Sequence, residues 1–140
     1  MVESYRDLIA WQKAMEPVES IYKLTARLPD DERFGLIAQL RRAAVSIPST
    51  LAEGHARTST REFARFLSIA RGSLAEVETE VLIAERLGFV GNEETRTTLG
   101  QCDEQGRLLR GLKKALDQKI ASRDPHRALA PHPSSLVPAQ

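Results

Sequence analysis

The sequence predicts an all-α protein: an antiparallel up-down-up-down four-helix bundle over residues 1–121, followed by a disordered C-terminal tail over 122–140. Three observations point there. Apolar residues recur at alternating three- and four-residue spacing through most of the first 120 positions, the period of an amphipathic helix. Clusters of Pro, Gly, Ser, Thr and Asn interrupt that period at three places, and no segment carries the two-residue alternation of a strand. Short connections between long helices imply antiparallel neighbours.

From Asp7 to Leu28, the residues Leu8, Trp11, Met15, Val18 and Tyr22 share one helical face and predict a first helix with that face turned to the core. Pro17 lacks the N–H that would bond back to Lys13, so a bend or break is expected there. Pro29 with Asp30, Asp31 and Glu32 reads as a stop, an acidic cap and a new start. The second helix is expected from about Glu32 to about Ala56, with Ile37, Leu40, Ala44, Ile47 and Leu51 as its apolar stripe. Pro48 removes a rung of its hydrogen-bond ladder, which predicts a kink with Ser46 or Ser49 near the freed carbonyls, and Gly54 signals a close approach or an end. Ser59 followed three residues later by Glu62 fits a capping box and opens the third helix. Its Phe63, Phe66, Ala70, Leu74, Val77, Val81 and Ala84 run without a proline to Leu87-Gly88, with Gly88 in the left-handed position after the last turn. Asn92 caps a fourth helix whose Leu99, Cys102, Gly106, Leu109, Leu112, Leu116 and Ile120 are expected to line the core. Gly100, Gly106 and Gly111 each lower its propensity by about 1 kcal/mol relative to Ala. Beyond Ser122, four of the seven prolines fall in the last 16 residues and the period fades, which predicts the disordered tail.

At 140 residues and 41% hydrophobic content the chain has enough apolar mass for one core. No apolar run approaches the roughly 20 residues of a membrane span, and the opening Met1-Val2-Glu3-Ser4-Tyr5-Arg6 is not a secretory signal, so a cytoplasmic protein without membrane contact is expected. The single Cys102 forbids an internal disulfide and leaves no thiol pair for a metal. A net charge of +1 provides no global field to attract nucleic acid or lipid, so any such contact must be local. The basic residues are 15 Arg against 5 Lys, a bias that fits either bidentate phosphate and carboxylate contacts or a GC-rich genome.

Catalytic footholds are missing. Of the three histidines, His126 and His132 lie in the tail, and Glu53 and His55 are two apart and point to different helical faces, so no bundle metal site is expected. No cofactor is expected, since neither a Walker-type loop nor a dinucleotide fingerprint occurs, and Arg71-Gly72-Ser73 sits within a helix whose amides are already bonded. Glu53, Arg71 and Glu76 are the only candidates for buried catalytic groups, and the chain is read as a non-enzyme.

Two polar features remain. Gln39, Arg42, Ser46, Thr50 and Glu53 form a second stripe on the kinked helix, flanked by Ala43, Ala44, Val45 and Ile47. It is either a solvated face or, where water is partly excluded, a buried polar or subunit interface in which Arg42 and Glu53 need partners. The third helix offers Arg65, Gly72, Glu76 and Glu80 on one side and Arg71 on another, and Gly72 would admit a neighbouring backbone. Arg71, Ser73, Glu76 and Glu80 therefore join the interface candidates, and self-association is expected. Second, Arg41, Arg42, Arg57, Arg61, Arg65 and Arg71 lie between residues 41 and 71, offset by Glu53 and Glu62, a local excess of +4 (6 minus 2). Arg41, Arg57, Arg61 and Arg65 are the candidate nucleic-acid contacts, with salt bridging within and between subunits as the equal alternative. Phe63 and Phe66 are committed to the core, so no stacking platform accompanies the patch.

Arg33-Phe34-Gly35-Leu36, then Gln39-Leu40-Arg41-Arg42-Ala43-Ala44-Val45-Ser46-Ile47-Pro48, then Leu51-Ala52-Glu53-Gly54, resemble the bacterial four-helix bundle protein family, also called the 23S rRNA intervening-sequence or S23 family. The likeness continues through Glu62-Phe63, Phe66-Leu67, Ile69-Ala70-Arg71-Gly72-Ser73-Leu74 and Glu76, and includes Tyr5-Arg6-Asp7-Leu8 and Trp11-Gln12-Lys13, so it spans roughly residues 5–120. The resemblance implies a four-helix bundle assembled as a ring-shaped homopentamer. It also implies kinship with accessory proteins of diversity-generating retroelements, which bind nucleic acid and a reverse transcriptase. The family name records where some of the genes lie and does not itself denote RNA binding. Thr50, where the family often has Asn, His55-Ala56 and Pro17 depart from the pattern, and Thr50 cannot offer an amide's paired donor and acceptor. The expected partners are thus other copies of the chain, RNA or another nucleic acid, or a protein bound to a scaffold.

Overall fold

The computed structural model describes residues 3–123, and the tail expected beyond lies outside the described residues. Four helices, α1 (Ile9–Thr25), α2 (Leu36–His55), α3 (Thr60–Arg86) and α4 (Asn92–Arg123), account for almost all of it, with no strand among the described residues. Residues 122 and 123, assigned to the tail by composition, complete α4.

Each helix boundary has a local cause. Ser4 accepts from the Arg6 N–H and caps a 3-10 turn over Tyr5–Asp7; Leu8 is then extended, so α1 starts at Ile9 rather than Asp7. A second 3-10 turn, Asp30–Glu32, precedes α2, which therefore begins at Leu36 rather than Glu32. The Ser59 Oγ accepts from the Glu62 N–H at 3.0 Å and opens α3 where the capping signal puts it. After Leu87, Gly88 turns to φ +77°, and the amides of Gly88 and Phe89 return to Glu85 and Ala84, closing a Schellman motif. Gly91 precedes α4, its N–H held by the Glu94 carboxylate at 3.0 Å.

Both internal prolines are buried in continuous helices, so Pro17 does not break α1. Beside Pro48, the Ser46 hydroxyl turns toward α3 and meets the Ser73 hydroxyl at 2.8 Å.

The helices pack in a closed cycle, α1 against α2 and α4, and α3 against α2 and α4. For α2 with α3, α3 with α4 and α1 with α4, contacts advance on one helix as they retreat on the other. Ser46 meets Ser73 while Gly54 faces Phe66; Asn92 bonds Glu85 while Gly106 lies beside Leu74; Arg27 pairs with Glu94 while Lys13 pairs with Glu104. Leu40, Ile47, Leu51, Leu67, Val77 and Leu109 are among the side chains fully enclosed between them.

Two expected core faces need correction. In α1 the buried set is Ala10, Ala14, Pro17, Ile21, Leu24 and Thr25, its first four members rotated by one residue from the large apolar stripe. Both sets share the alternating spacing, and the small alanines let the helix axes approach, so the bulkier set lies at the edge: Met15 is 40% and Tyr22 44% exposed. In α4, Cys102, Leu109 and Leu116 are buried as expected, but the remaining buried positions are Thr95, Thr98 and Gln105. The Thr95 hydroxyl donates to the Gly91 carbonyl at 2.9 Å and the Gln105 amide nitrogen to the Ala10 carbonyl at 3.0 Å, while the Gln105 Oε1 is enclosed without a hydrogen-bond partner.

Candidate functional site

The polar stripe of α2 divides in the fold. Gln39, Arg42 and Glu53 are exposed, Ser46 is half-buried and Thr50 is buried. Water is thus not excluded from Arg42 or Glu53, because the flanking alanines point inward and leave the long polar chains at the rim. The partner of Glu53 is Arg57 on the next turn, 3.4 Å away and exposed. What crosses to α3 is the hydroxyl contact of Ser46 with Ser73, with Thr50 3.4 Å from Ser46. On α3, Arg71 and Glu76 are exposed, Ser73 and Glu80 are buried, and Gly72 has nothing within 4 Å of an added Cβ, so no backbone approaches it inside the protomer. Glu53, Arg71 and Glu76 are therefore not buried catalytic groups.

Glu80 is the anomaly. One carboxylate oxygen is enclosed with no hydrogen-bond partner. Burial first, then the neighbouring Glu76, holds its carboxyl above the usual carboxylate range, while Arg42 opposes the shift. Ile69, Glu76, Glu80, Ile83 and Leu87 follow one another at helical spacing, so this acid sits within an apolar edge in which Ile83 is 41% and Leu87 58% exposed.

The four arginines singled out for nucleic acid do not form one patch. Arg41 lies over the Tyr22 ring at 4.6 Å and donates to the Thr25 hydroxyl at 2.9 Å, near the C-terminal end of α1. Arg57, Arg61 and Arg65 are at the opposite end of the bundle, because the fourteen residues of α2 from Arg41 to its end at His55 correspond to about 21 Å. There Arg57 and Arg65 each approach the Phe66 ring at 4.8 Å, and Arg65 also pairs with Glu62 at 2.9 Å. Phe66 is buried as expected, and Phe63 packs against the core with its ring edge-on to His55, 5.8 Å between centroids.

Two features escaped the sequence. Between α1 and α2 runs a shallow groove of about 310 Å³ lined by Tyr5, Trp11, Met15, Val18, Val45 and Pro48. Between α3 and α4, Arg71, Arg107 and Arg110 surround a groove of about 250 Å³ that also contains Glu78 and Asp103. Burial and the facing Asp103 raise the Glu78 carboxyl, opposed by Arg110. Cys102 beneath is pushed up to about 12 by burial and then by both acids, so it stays a thiol and is not a nucleophile at neutral pH. The first groove was visible in the apolar spacing but assigned to the core; the second joins residues some 35 positions apart and leaves no local signal. Among the described residues no group of His, Cys, Asp and Glu could hold a metal ion, and no helix is long and apolar enough to cross a membrane.

A family model described as 23S rRNA-intervening sequence protein matches residues 6–111. Among solved structures, a crystal structure of a protein of unknown function from the S23 ribosomal protein family of Bacteroides thetaiotaomicron superposes with a TM-score of 0.70 at 22% identity. The match covers 76% of this chain and 99% of that one, and it establishes a shared fold. None of the curated proteins matches.

Proposed function

The chain belongs to the 23S rRNA-intervening sequence protein family, and from that premise we propose that it is a cytoplasmic, non-enzymatic bundle that assembles into a ring of identical copies and holds structured RNA on the basic surface the ring repeats. The observation that carries this reading is the uncovered apolar groove of α1 and α2, where Met15 and Val45 are 40% and 39% exposed. Monomeric surfaces seldom leave contiguous apolar residues uncovered without a use. The second apolar edge, on α3 around Ile83 and Leu87, is a different surface from the groove. Two unlike surfaces that meet head to tail give a ring where the rotation closes and an open filament where it does not, rather than a two-fold dimer; the family resemblance implies a closed ring of five.

A ring also compensates for the modest charge of each chain, since copies of Arg57, Arg61 and Arg65 at one end of every bundle would act together on a single polyanion. The test is sedimentation velocity on the wild type and on Met15→Glu, with Lys114→Glu as an exposed control on α4, which contributes to neither surface. Met15→Glu is expected to convert the assembly to monomer and Lys114→Glu to leave it unchanged. An assembly indifferent to Met15→Glu contradicts the assigned interface. For the ligand, a mobility shift with structured RNA should weaken steeply with salt; a specific protein that co-purifies after nuclease treatment, with no RNA shift, would instead make the ring a protein scaffold.

A further inference from the structure

Where α4 ends, the α2–α3 turn and the last turns of α4 stand apart around a cleft of about 810 Å³, larger than the grooves of about 310 and 250 Å³ described above. Its floor is apolar, formed by Leu8, Phe63, Leu112, Ala115 and Leu116. Its rim is cationic and hydroxylic, with Arg57, Lys119 and Arg123 beside Thr58, Ser59 and Thr60. Among the described residues no carboxylate lines it. Arg123 reaches across the rim to donate to the Thr60 hydroxyl at 3.0 Å and keeps further donors free. Arg57 lies over the Phe66 ring at 4.8 Å, and its one ion pair is a long, exposed contact with Glu53 at 3.4 Å that an incoming anion replaces at little cost.

We propose that this cleft binds one unpaired nucleotide of an RNA strand, with the phosphate on the Arg57, Lys119 and Arg123 rim and the base against Phe63 and His55. The inference rests on the RNA reading above and gives it a stacking element. Three features favour a nucleotide over other anions. An inorganic phosphate would use the rim and leave the apolar floor bare. An alkyl phosphate would cover the floor but make no use of Gln118 and His55, which line the same cleft and can hydrogen-bond a base edge. His55 and Phe63, set at 88° to one another, offer an aromatic corner on which a flat base packs against one ring and meets the edge of the other.

The experiment is calorimetric titration of the full chain with adenosine 5′-monophosphate, inorganic phosphate and hexyl phosphate, run beside a mobility shift with a structured RNA that carries an unpaired end. The variants are Lys119→Glu and Arg123→Glu, with Lys23→Glu on α1 at the other end of the bundle as control. The nucleotide is expected to bind about tenfold more tightly than either other phosphate, the increment of one stacked base. Each cleft variant should weaken nucleotide binding by about tenfold, the loss of one hydrogen bond to a charged group, while Lys23→Glu leaves it unchanged. Equal binding of inorganic phosphate or of hexyl phosphate, or nucleotide binding indifferent to both cleft variants, overturns the assignment. An RNA shift that persists without nucleotide binding overturns the cleft and leaves the RNA reading intact. Nucleotide binding with no RNA shift by the wild type contradicts an RNA strand as its source.

Discussion

A methyl group added at Gly54 would lie 2.7 Å from the Phe66 Cβ, a contact that neither helix can relieve by turning a side-chain end, whereas at Gly72 it would meet nothing within 4 Å. Gly54→Ala is therefore expected to destabilise the fold by about 1–2 kcal/mol through overpacking, and Gly72→Ala to stabilise it by about 0.5–1 kcal/mol by removing a helix-interior glycine; denaturant titration of both variants checks the opposite signs. Close approach at Gly54 was readable in the sequence, while the freedom around Gly72 was not, because the spacing of residues on α3 does not say which side of that helix has a neighbour. Glu80 gives a prediction in pH. Its carboxyl titrates above the usual range in the fold, so folding favours the protonated form. That contribution is complete below the unfolded value of 4.5 and is lost as pH rises through the folded value. Glu80→Gln, in the monomeric Met15→Glu background, should melt higher than its parent at pH 7, with the gap closing at pH 4. A gap independent of pH would contradict the buried, unpartnered carboxylate.

At the scale of the helix, the sequence was most legible where a side chain answers its own backbone. Ser59 caps α3 and Gly88 ends it, and both follow from short-range geometry. Ser59→Ala leaves the Glu62 N–H without its acceptor and should cost about 1 kcal/mol by thermal or denaturant unfolding. The helical period was equally legible, but its phase was not. In α1 two sets of residues satisfy the same spacing, and the smaller pair of alanines takes the core because close axes favour them over Trp11 and Met15. In α4 the phase is blurred further, since Thr95, Thr98 and Gln105 enter the interior, Thr95 and Gln105 on hydrogen bonds to the Gly91 carbonyl and to the Ala10 carbonyl, the latter 95 residues away. The same limit applies to the candidate sites. Arg57, Arg61 and Arg65 stay together because they occupy one turn and the helix after it, whereas Arg41 is separated from them by the length of α2.

The whole molecule is a bundle whose interior is closed and whose outside carries two unlike apolar surfaces, the Met15 groove of α1 and α2 and the Ile83–Leu87 edge of α3. The sequence contained the residues of both, and only the packing of the helices shows which of them remain uncovered. The proposed assembly requires that these two surfaces meet from copy to copy, an arrangement that would place the basic ends of the bundles on a common ring. The measurement that tests it most directly is the absolute mass of the untagged chain by light scattering during size-exclusion chromatography, across a hundredfold range of concentration. The account predicts a single species of five times 15.6 kDa. A mass of 15.6 kDa at every concentration would contradict it.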